Sequence, residues 1–138
     1  MSRILILVFG GMVLLFAKQV GGYVEGRLFP VTRDTQLTRI EQSDPGWSMI
    51  WGHSVRQRQC SFVRLEWRIG TPSHYSVIDV VFLEGSKVRG DGIFEFGPWK
   101  LHASQDQIEN RSFATVVHSC HPLWNTETHF FSGAPLAR

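Results

Sequence analysis

The feature that most constrains this chain is an uncharged apolar run at its N-terminus. Residues 4–17 carry no charged or strongly polar side chain, and Arg3 precedes them. A basic start followed by about 7–15 apolar residues is typical of a signal peptide. Extended to residue 24, the run would form a helix about 31 Å long, enough for a bilayer core of about 30 Å if Lys18 snorkels. We therefore predict that residues 1–24 are a membrane anchor or signal segment, and not a buried core helix.

Cleavage distinguishes an anchor from a signal peptide. Signal peptides end in a small-x-small pattern, which residues 15–17 (Leu-Phe-Ala) and 20–22 (Val-Gly-Gly) match only in part. This favours an anchor, with secretion as the alternative if the leader is cleaved. A cytoplasmic Arg3 places the rest of the chain, residues 25–138, in the periplasm or outside the cell. The predicted topology is single-pass, with membrane contact through residues 4–24.

Composition indicates one small globular domain after this segment. The 138-residue chain leaves about 114 residues after residue 24, enough for one hydrophobic core. Apolar residues make up 43% and charged residues 19%, which excludes a disordered chain. The formal net charge of +2 is too small to indicate nucleic acid as a partner. Thirteen glycines and six prolines favour strands and turns over long helices.

The two cysteines, Cys60 and Cys120, form an even count in a chain predicted to leave the cytoplasm. This context predicts a disulfide bond between them. Closing a loop of about 60 residues stabilises a domain by roughly 4 kcal/mol in the chain-entropy model. The alternative is a pair of unpaired buried thiols.

Short apolar runs separated by turn residues indicate a β domain. The clearest alternation lies in residues 55–69, a predicted strand. Its apolar face consists of Val63, Leu65, Trp67 and Ile69. Cys60 and Phe62 fall on the opposite parity, among arginines and a glutamate. Either a β-bulge shifts the register near residue 62, or the disulfide lies outside the main core.

Further strands are predicted on both sides of this one. Residues 23–31 are a possible first strand ended by a proline, and residues 47–51 alternate as a largely buried strand would after an Asp-Pro-Gly turn. Residues 76–84 are almost continuously apolar, which predicts a central strand covered on both faces. Gly97-Pro98 marks a bulge or kink, because the apolar parity changes there. The remaining predicted strands are residues 93–103, 112–121 and 128–131, with a polar loop or helical turn at 102–110.

Seven or eight short strands at this spacing predict an all-β fold. We expect a small antiparallel Ig-like β-sandwich, or a small barrel, after one N-terminal hydrophobic helix. The order Cys60, Trp67, Cys120 resembles that of an immunoglobulin domain, but Trp67 lies too close to Cys60 and on the wrong parity. The resemblance therefore concerns architecture and not family membership.

No pattern in the sequence predicts a metal centre, a cofactor or catalysis. Its six histidines are His53, His74, His102, His118, His121 and His129. The densest cluster is His118, Cys120 and His121, but His121 would point away from the other two on a strand. The sequence lacks the G-x-S-x-G and H-E-x-x-H motifs and a phosphate-binding glycine loop. We therefore expect no metal, no cofactor and a non-catalytic protein.

Arginines offer a candidate binding surface. Arg64 and Arg68 project from the polar face of one predicted strand, and Arg56 and Arg58 precede Cys60. If the four meet on one hairpin, they form a patch suited to carboxylate or phosphate groups. The alternative is a solvated sheet face that a glutamate partly neutralises.

Trp124 lies in a predicted loop, where it would anchor a partner or cover one end of the sandwich.

These patterns predict a non-catalytic binding or assembly module of an envelope, surface or virion component. It would be anchored in a membrane and would bind a protein or an anionic surface. The alternative is a small secreted or periplasmic enzyme or metal-binding protein.

Overall fold

A computed structural model describes residues 2–85 and 89–133, so residues 134–138 of the predicted domain lie outside the described ranges. Helix α1 (Ser2–Leu28) is followed by eight strands and a short helix. The strands are β1 (Thr32–Asp44), β2 (Trp47–Arg56), β3 (Ser61–Thr71), β4 (His74–Ile78), β5 (Val80–Phe82), β6 (Gly92–Leu101), β7 (Ser112–Ser119) and β8 (Thr126–Ser132). The short helix, α2 (Gln105–Arg111), begins with a capping box between Ser104 and Gln107.

The strands form two four-stranded antiparallel sheets packed as a β-sandwich. Their orders are β1-β2-β6-β5 and β4-β3-β7-β8. In immunoglobulin terms these are A-B-E-D and C-F-G, with an extra strand beside C. The predicted Ig-like sandwich is therefore confirmed.

The core between the sheets contains large side chains from both. Trp67, Ile50 and Leu101 are fully buried, and Phe96 and Trp99 stack on each other with ring centroids 4.4 Å apart. Trp67 lies on β3, the strand that corresponds to C, where immunoglobulin domains also place a buried tryptophan.

The disulfide bond between Cys60 and Cys120 is confirmed, but its position differs from that in an immunoglobulin domain. The immunoglobulin disulfide crosses the core between sheets. Here the bond joins the ends of the neighbouring strands β3 and β7, next to the pair Ser61 and Ser119. The predicted register shift is also present, between Phe62 and Arg64. Both explanations offered for the parity of Cys60 therefore hold.

Two strand predictions are wrong because the chain changes sheet within them. Residues 55–69 are not one strand: β2 ends at Arg56 and β3 begins at Ser61 in the other sheet. Residues 76–84 are not a central strand, since β4 and β5 are edge strands of different sheets on either side of Asp79. Ile78 and Val80 pack against the core, whereas Val77 is 61% and Val81 44% exposed.

The first predicted strand, residues 23–31, is also wrong. The chain stays helical to Leu28 and turns before Val31, whose amide donates to the Thr128 hydroxyl. The helical conformation is favoured there because this part of α1 packs against β8.

Other local predictions agree with the structure. In residues 47–51 the alternation is present, and the inner face carries Ser48 and Ile50, both fully buried. At Gly97-Pro98 the pairing of β6 with β2 shifts register between Phe96 and Trp99.

Candidate functional site

Helix α1 is the one described element that is long and apolar enough to cross a membrane. None of its most apolar window is buried against the rest of the protein. Phe9, Leu14 and Phe16 are each more than 65% exposed. Exposure of so many large apolar side chains in water is unfavourable, which fits a membrane anchor or a signal sequence.

Glycines let the C-terminal part of α1 lie directly on the backbone of β8. A Cβ atom at Gly22 would lie 2.0 Å from the carbonyl oxygen of Asn125, and one at Gly26 would lie 1.7 Å from that of Glu127. A Cβ atom at Gly21 would lie 2.7 Å from the ring of Trp124. Only glycine fits at these contacts, so the helix covers the otherwise open edge of β8.

Glu25 is the polar centre of this junction, and its side chain is only 13% exposed. Its Oε1 accepts a hydrogen bond from Arg58 at 2.7 Å. Its Oε2 accepts from the Trp124 indole at 2.7 Å and the Thr126 hydroxyl at 3.0 Å, and lies 2.9 Å from His121 Nε2. Arg58 also donates to the carbonyl oxygen of Phe29. Four side chains of the sandwich thus hold the carboxylate of Glu25. We call this group the Glu25 junction; its members are Glu25, Arg58, His121, Trp124 and Thr126.

The contacts set the direction in which the helix leaves the sandwich. Gly21 lies against Trp124 and Gly26 against Glu127, so helix and strand run the same way. Residues 2–20 therefore project beyond the start of β8. At about 1.5 Å per residue this part is about 28 Å long, close to a bilayer core of about 30 Å.

A cleft of about 880 Å³ opens between the sheets at the same end. It exists because the short edge strands β4 and β5 pair with their neighbours only at the end of the sandwich away from the disulfide. Strand β5 pairs with Trp99–Leu101 of β6, and β4 pairs with Trp67–Thr71 of β3. Residues 61–66 and 92–97 therefore pair with no described strand on that side, and the cleft lies between them. Its apolar walls are Phe62, Leu65, Phe82, Phe94, Trp99, Val116 and Phe130.

Polar groups gather in the cleft near the disulfide. His118 is only 7% exposed and Thr32 only 4%. His118 Nδ1 and Thr32 Oγ1 are buried without a hydrogen-bond partner among the described residues. Burial, followed by the nearby charge of Arg56, lowers the pKa of His118 to about 4. The imidazole is therefore neutral at physiological pH.

The structure does not bring the four predicted arginines together. Arg64 and Arg68 both pair with Glu66 on the outer face of β3, and these salt bridges lower the pKa of Glu66. Arg58 belongs to the Glu25 junction. Arg56 lines the cleft and donates to the carbonyl oxygens of Arg58, Cys60 and Arg89. The four arginines therefore do not form one patch. Arg56 and Arg58 hold parts of the fold in place, and only Arg64 and Arg68 share a face, where Glu66 partly neutralises them.

Trp124 covers the end of the sandwich against the chain's own helix, at the junction described above.

No group of three or more His, Cys, Asp or Glu side chains that could hold a metal ion occurs among the described residues. His121 lies at the Glu25 junction, and His102 stacks on Trp47 at the opposite end of the sandwich. Cys120 is bonded to Cys60 and cannot act as a ligand.

Sequence reasoning missed Glu25 and the cleft. A signal for Glu25 was present, because a lone carboxylate at the end of an apolar helix needs a partner, and Gly21, Gly22 and Gly26 surround it. The cleft depends on which strand residues lack neighbours, and local patterns do not contain that information.

No family model, curated protein or solved structure matches this chain.

Proposed function

We propose that this chain is a membrane-anchored, non-catalytic binding and assembly module that works outside the cytoplasm as part of an envelope, a cell surface or a virion. The observation that carries the proposal is the continuity of α1. One helix projects about 28 Å beyond the sandwich, with the uncharged apolar run of residues 4–17 in this exposed part, and it then docks on the sandwich through Gly22, Gly26 and Glu25. This arrangement suits a domain held in a fixed orientation at the membrane surface.

The disulfide bond supports the compartment. Disulfides persist in oxidising spaces and are rare in the cytosol. With Arg3 on the cytoplasmic side, the sandwich and its Cys60–Cys120 bond lie in the periplasm or outside the cell. If the leader is cleaved instead, the same domain is secreted.

The partner surface in this proposal is the outer face of β3. Arg64 is 51% exposed and shares Glu66 with Arg68, so the three side chains carry one net positive charge. Such a face suits an acidic protein or an anionic polymer.

Alkaline extraction of membranes tests the anchor. The wild-type chain should stay in the pellet, while Leu14→Arg should shift to the supernatant. An arginine at the centre of a membrane helix costs about 2.5–3.5 kcal/mol. Leu14→Ala is the matched control and should stay in the pellet. Full-length wild-type protein in the alkaline supernatant would refute the anchor.

Thiol alkylation of the same fractions tests the compartment. Denatured but unreduced wild-type protein should take up no polyethylene-glycol maleimide, because its two cysteines are bonded. Protein that fails to insert and stays in the cytosol should take up two equivalents. Two free thiols in the membrane-bound wild type would contradict the extracytoplasmic placement.

A further inference from the structure

The cleft between the sheets has the properties of a binding site. Its volume of about 880 Å³ lies in the range of small-molecule sites, about 300–1,000 Å³. Packed protein interiors hold few voids larger than a water molecule, so a space of this size between two sheets is suited to an occupant. Five aromatic rings line it, among them Trp99 and Phe130, which are 4% and 5% exposed.

The orientation of the protein places this cleft next to the bilayer. The apolar part of α1 projects from the end where β8 begins. Strand β3 begins and strand β7 ends at that same end, as the pair Ser61–Ser119 shows. Phe62, which lines the cleft, is 55% exposed there, and Leu123 in the adjoining loop is 60% exposed. The rim of the cleft therefore carries apolar side chains towards the membrane.

The polar end of the cleft fits an acidic head group. Arg56 donates three hydrogen bonds, all to neutral carbonyl oxygens, and forms no salt bridge with a carboxylate of the described residues. Glu84, the acidic side chain among the described residues of the cleft, is paired with Arg89 instead. His118 Nδ1 and Thr32 Oγ1 add two buried polar atoms that lack a hydrogen-bond partner among the residues described. A charged guanidinium beside unpaired polar atoms favours an anion that also accepts hydrogen bonds.

We propose that this cleft binds one anionic membrane lipid, with an acyl chain between the sheets and the acidic head group beside Arg56, His118 and Thr32. The inference rests on the membrane-anchored function proposed above, because the anchor brings the cleft to the lipid. The bound lipid would fill the space between the sheets and make the domain sensitive to the charge of its membrane.

Native mass spectrometry of the full-length protein released from lipid nanodiscs tests this proposal. In palmitoyl-oleoyl phosphatidylglycerol the protein should retain one lipid, and in the phosphatidylcholine of the same chains it should retain none. Val116→Phe should abolish retention, because Val116 is buried on the cleft wall. Arg56→Gln should weaken retention about tenfold, while Arg33→Gln, an exposed arginine on β1, should leave it unchanged.

Photo-crosslinking of the wild type keeps the test independent of the folding of the variants. A phosphatidylglycerol with a diazirine in its acyl chain should label the walls near Phe94, Val116 and Phe130. Label confined to residues 4–20 would overturn the proposal, as would equal retention of both lipids or undiminished retention by Val116→Phe. Retention of free oleate but not of phosphatidylglycerol would equally overturn it.

The anchor and the lipid site fail separately in these experiments. A chain that washes off membranes at alkaline pH refutes the anchor, whatever lipid it retains. A firmly anchored chain without retained lipid refutes the cleft proposal alone.

Discussion

Replacing Gly26 with alanine should undock α1 from the sandwich. The new Cβ atom would lie 1.7 Å from the carbonyl oxygen of Glu127, whereas ordinary contacts begin at 3.4 Å, so the helix must withdraw by about 1.7 Å. The four contacts to Glu25, now 2.7–3.0 Å long, would then exceed hydrogen-bonding distance. At about 1.5 kcal/mol for each bond to a charged group, the junction loses up to about 6 kcal/mol.

The matched control is Gly10→Ala in the same helix. Alanine is a better helix former than glycine by about 1 kcal/mol at either position, and a Cβ at Gly10 meets nothing within 4 Å. The two substitutions therefore share their effect on helix propensity and differ only in the contact with β8.

Hydrogen exchange of the full-length protein in detergent micelles measures the docking. The reporters are the amides of residues 21–31, which include the Val31 amide bonded to Thr128. A loss of even 3 kcal/mol should raise their exchange rate more than a hundredfold in Gly26→Ala. Gly10→Ala should match the wild type in this segment. Equal protection in all three proteins would refute the docked helix.

Three further predictions concern the sandwich. Replacing Cys60 and Cys120 with serine should cost about 4 kcal/mol and lower the melting temperature by more than about 10 °C, and an unchanged melting curve would count against the bond. The pKa of His118 falls from 6.5 to about 4 on folding, so the unfolded chain binds more protons between these values. Stability should therefore decrease as the pH falls from 6.5 to 4. Between pH 6.5 and 4.5 the melting temperature of His118→Gln should depend less steeply on pH than that of the wild type. An identical dependence on pH in the two proteins would disprove the lowered pKa of His118. On immobilised heparin, a model polyanion, Arg64→Glu should elute at lower salt than Arg111→Glu, an exposed control at the other end of the domain; coincident elution would exclude the β3 face as the anionic site.

Sequence patterns predicted the parts of the fold that depend on neighbouring residues. Alternation along β3 identified the face that carries Trp67, and a bulge was one of the two explanations that the parity of Phe62 suggested. The same reasoning failed for residues 76–84, where an apolar run divides into two edge strands. A short apolar run predicts a strand with apolar side chains to bury, but only the positions of the other strands decide which sheet it joins.

The candidate sites required contacts between distant parts of the chain. Glu25 lies about 100 residues before Trp124 and Thr126, and no local period reports such a pairing. The four arginines were predicted as one group from their spacing, yet Arg56 and Arg58 turn inward to carbonyl oxygens and Glu25. Spacing fixes the side of a strand to which a residue belongs, and the partner it meets there is set by packing.

The sequence by itself determined that this chain has an apolar N-terminal helix, a β domain and two cysteines able to bond. Side-chain hydrophobicity and residue type are sufficient for those conclusions because each is a property of a short segment. Only the tertiary structure decided that Gly22 and Gly26 seat the helix on β8, and that short edge strands leave a cleft beside Arg56 and His118. Both features depend on contacts between segments that are distant in the sequence, and no short segment contains that information.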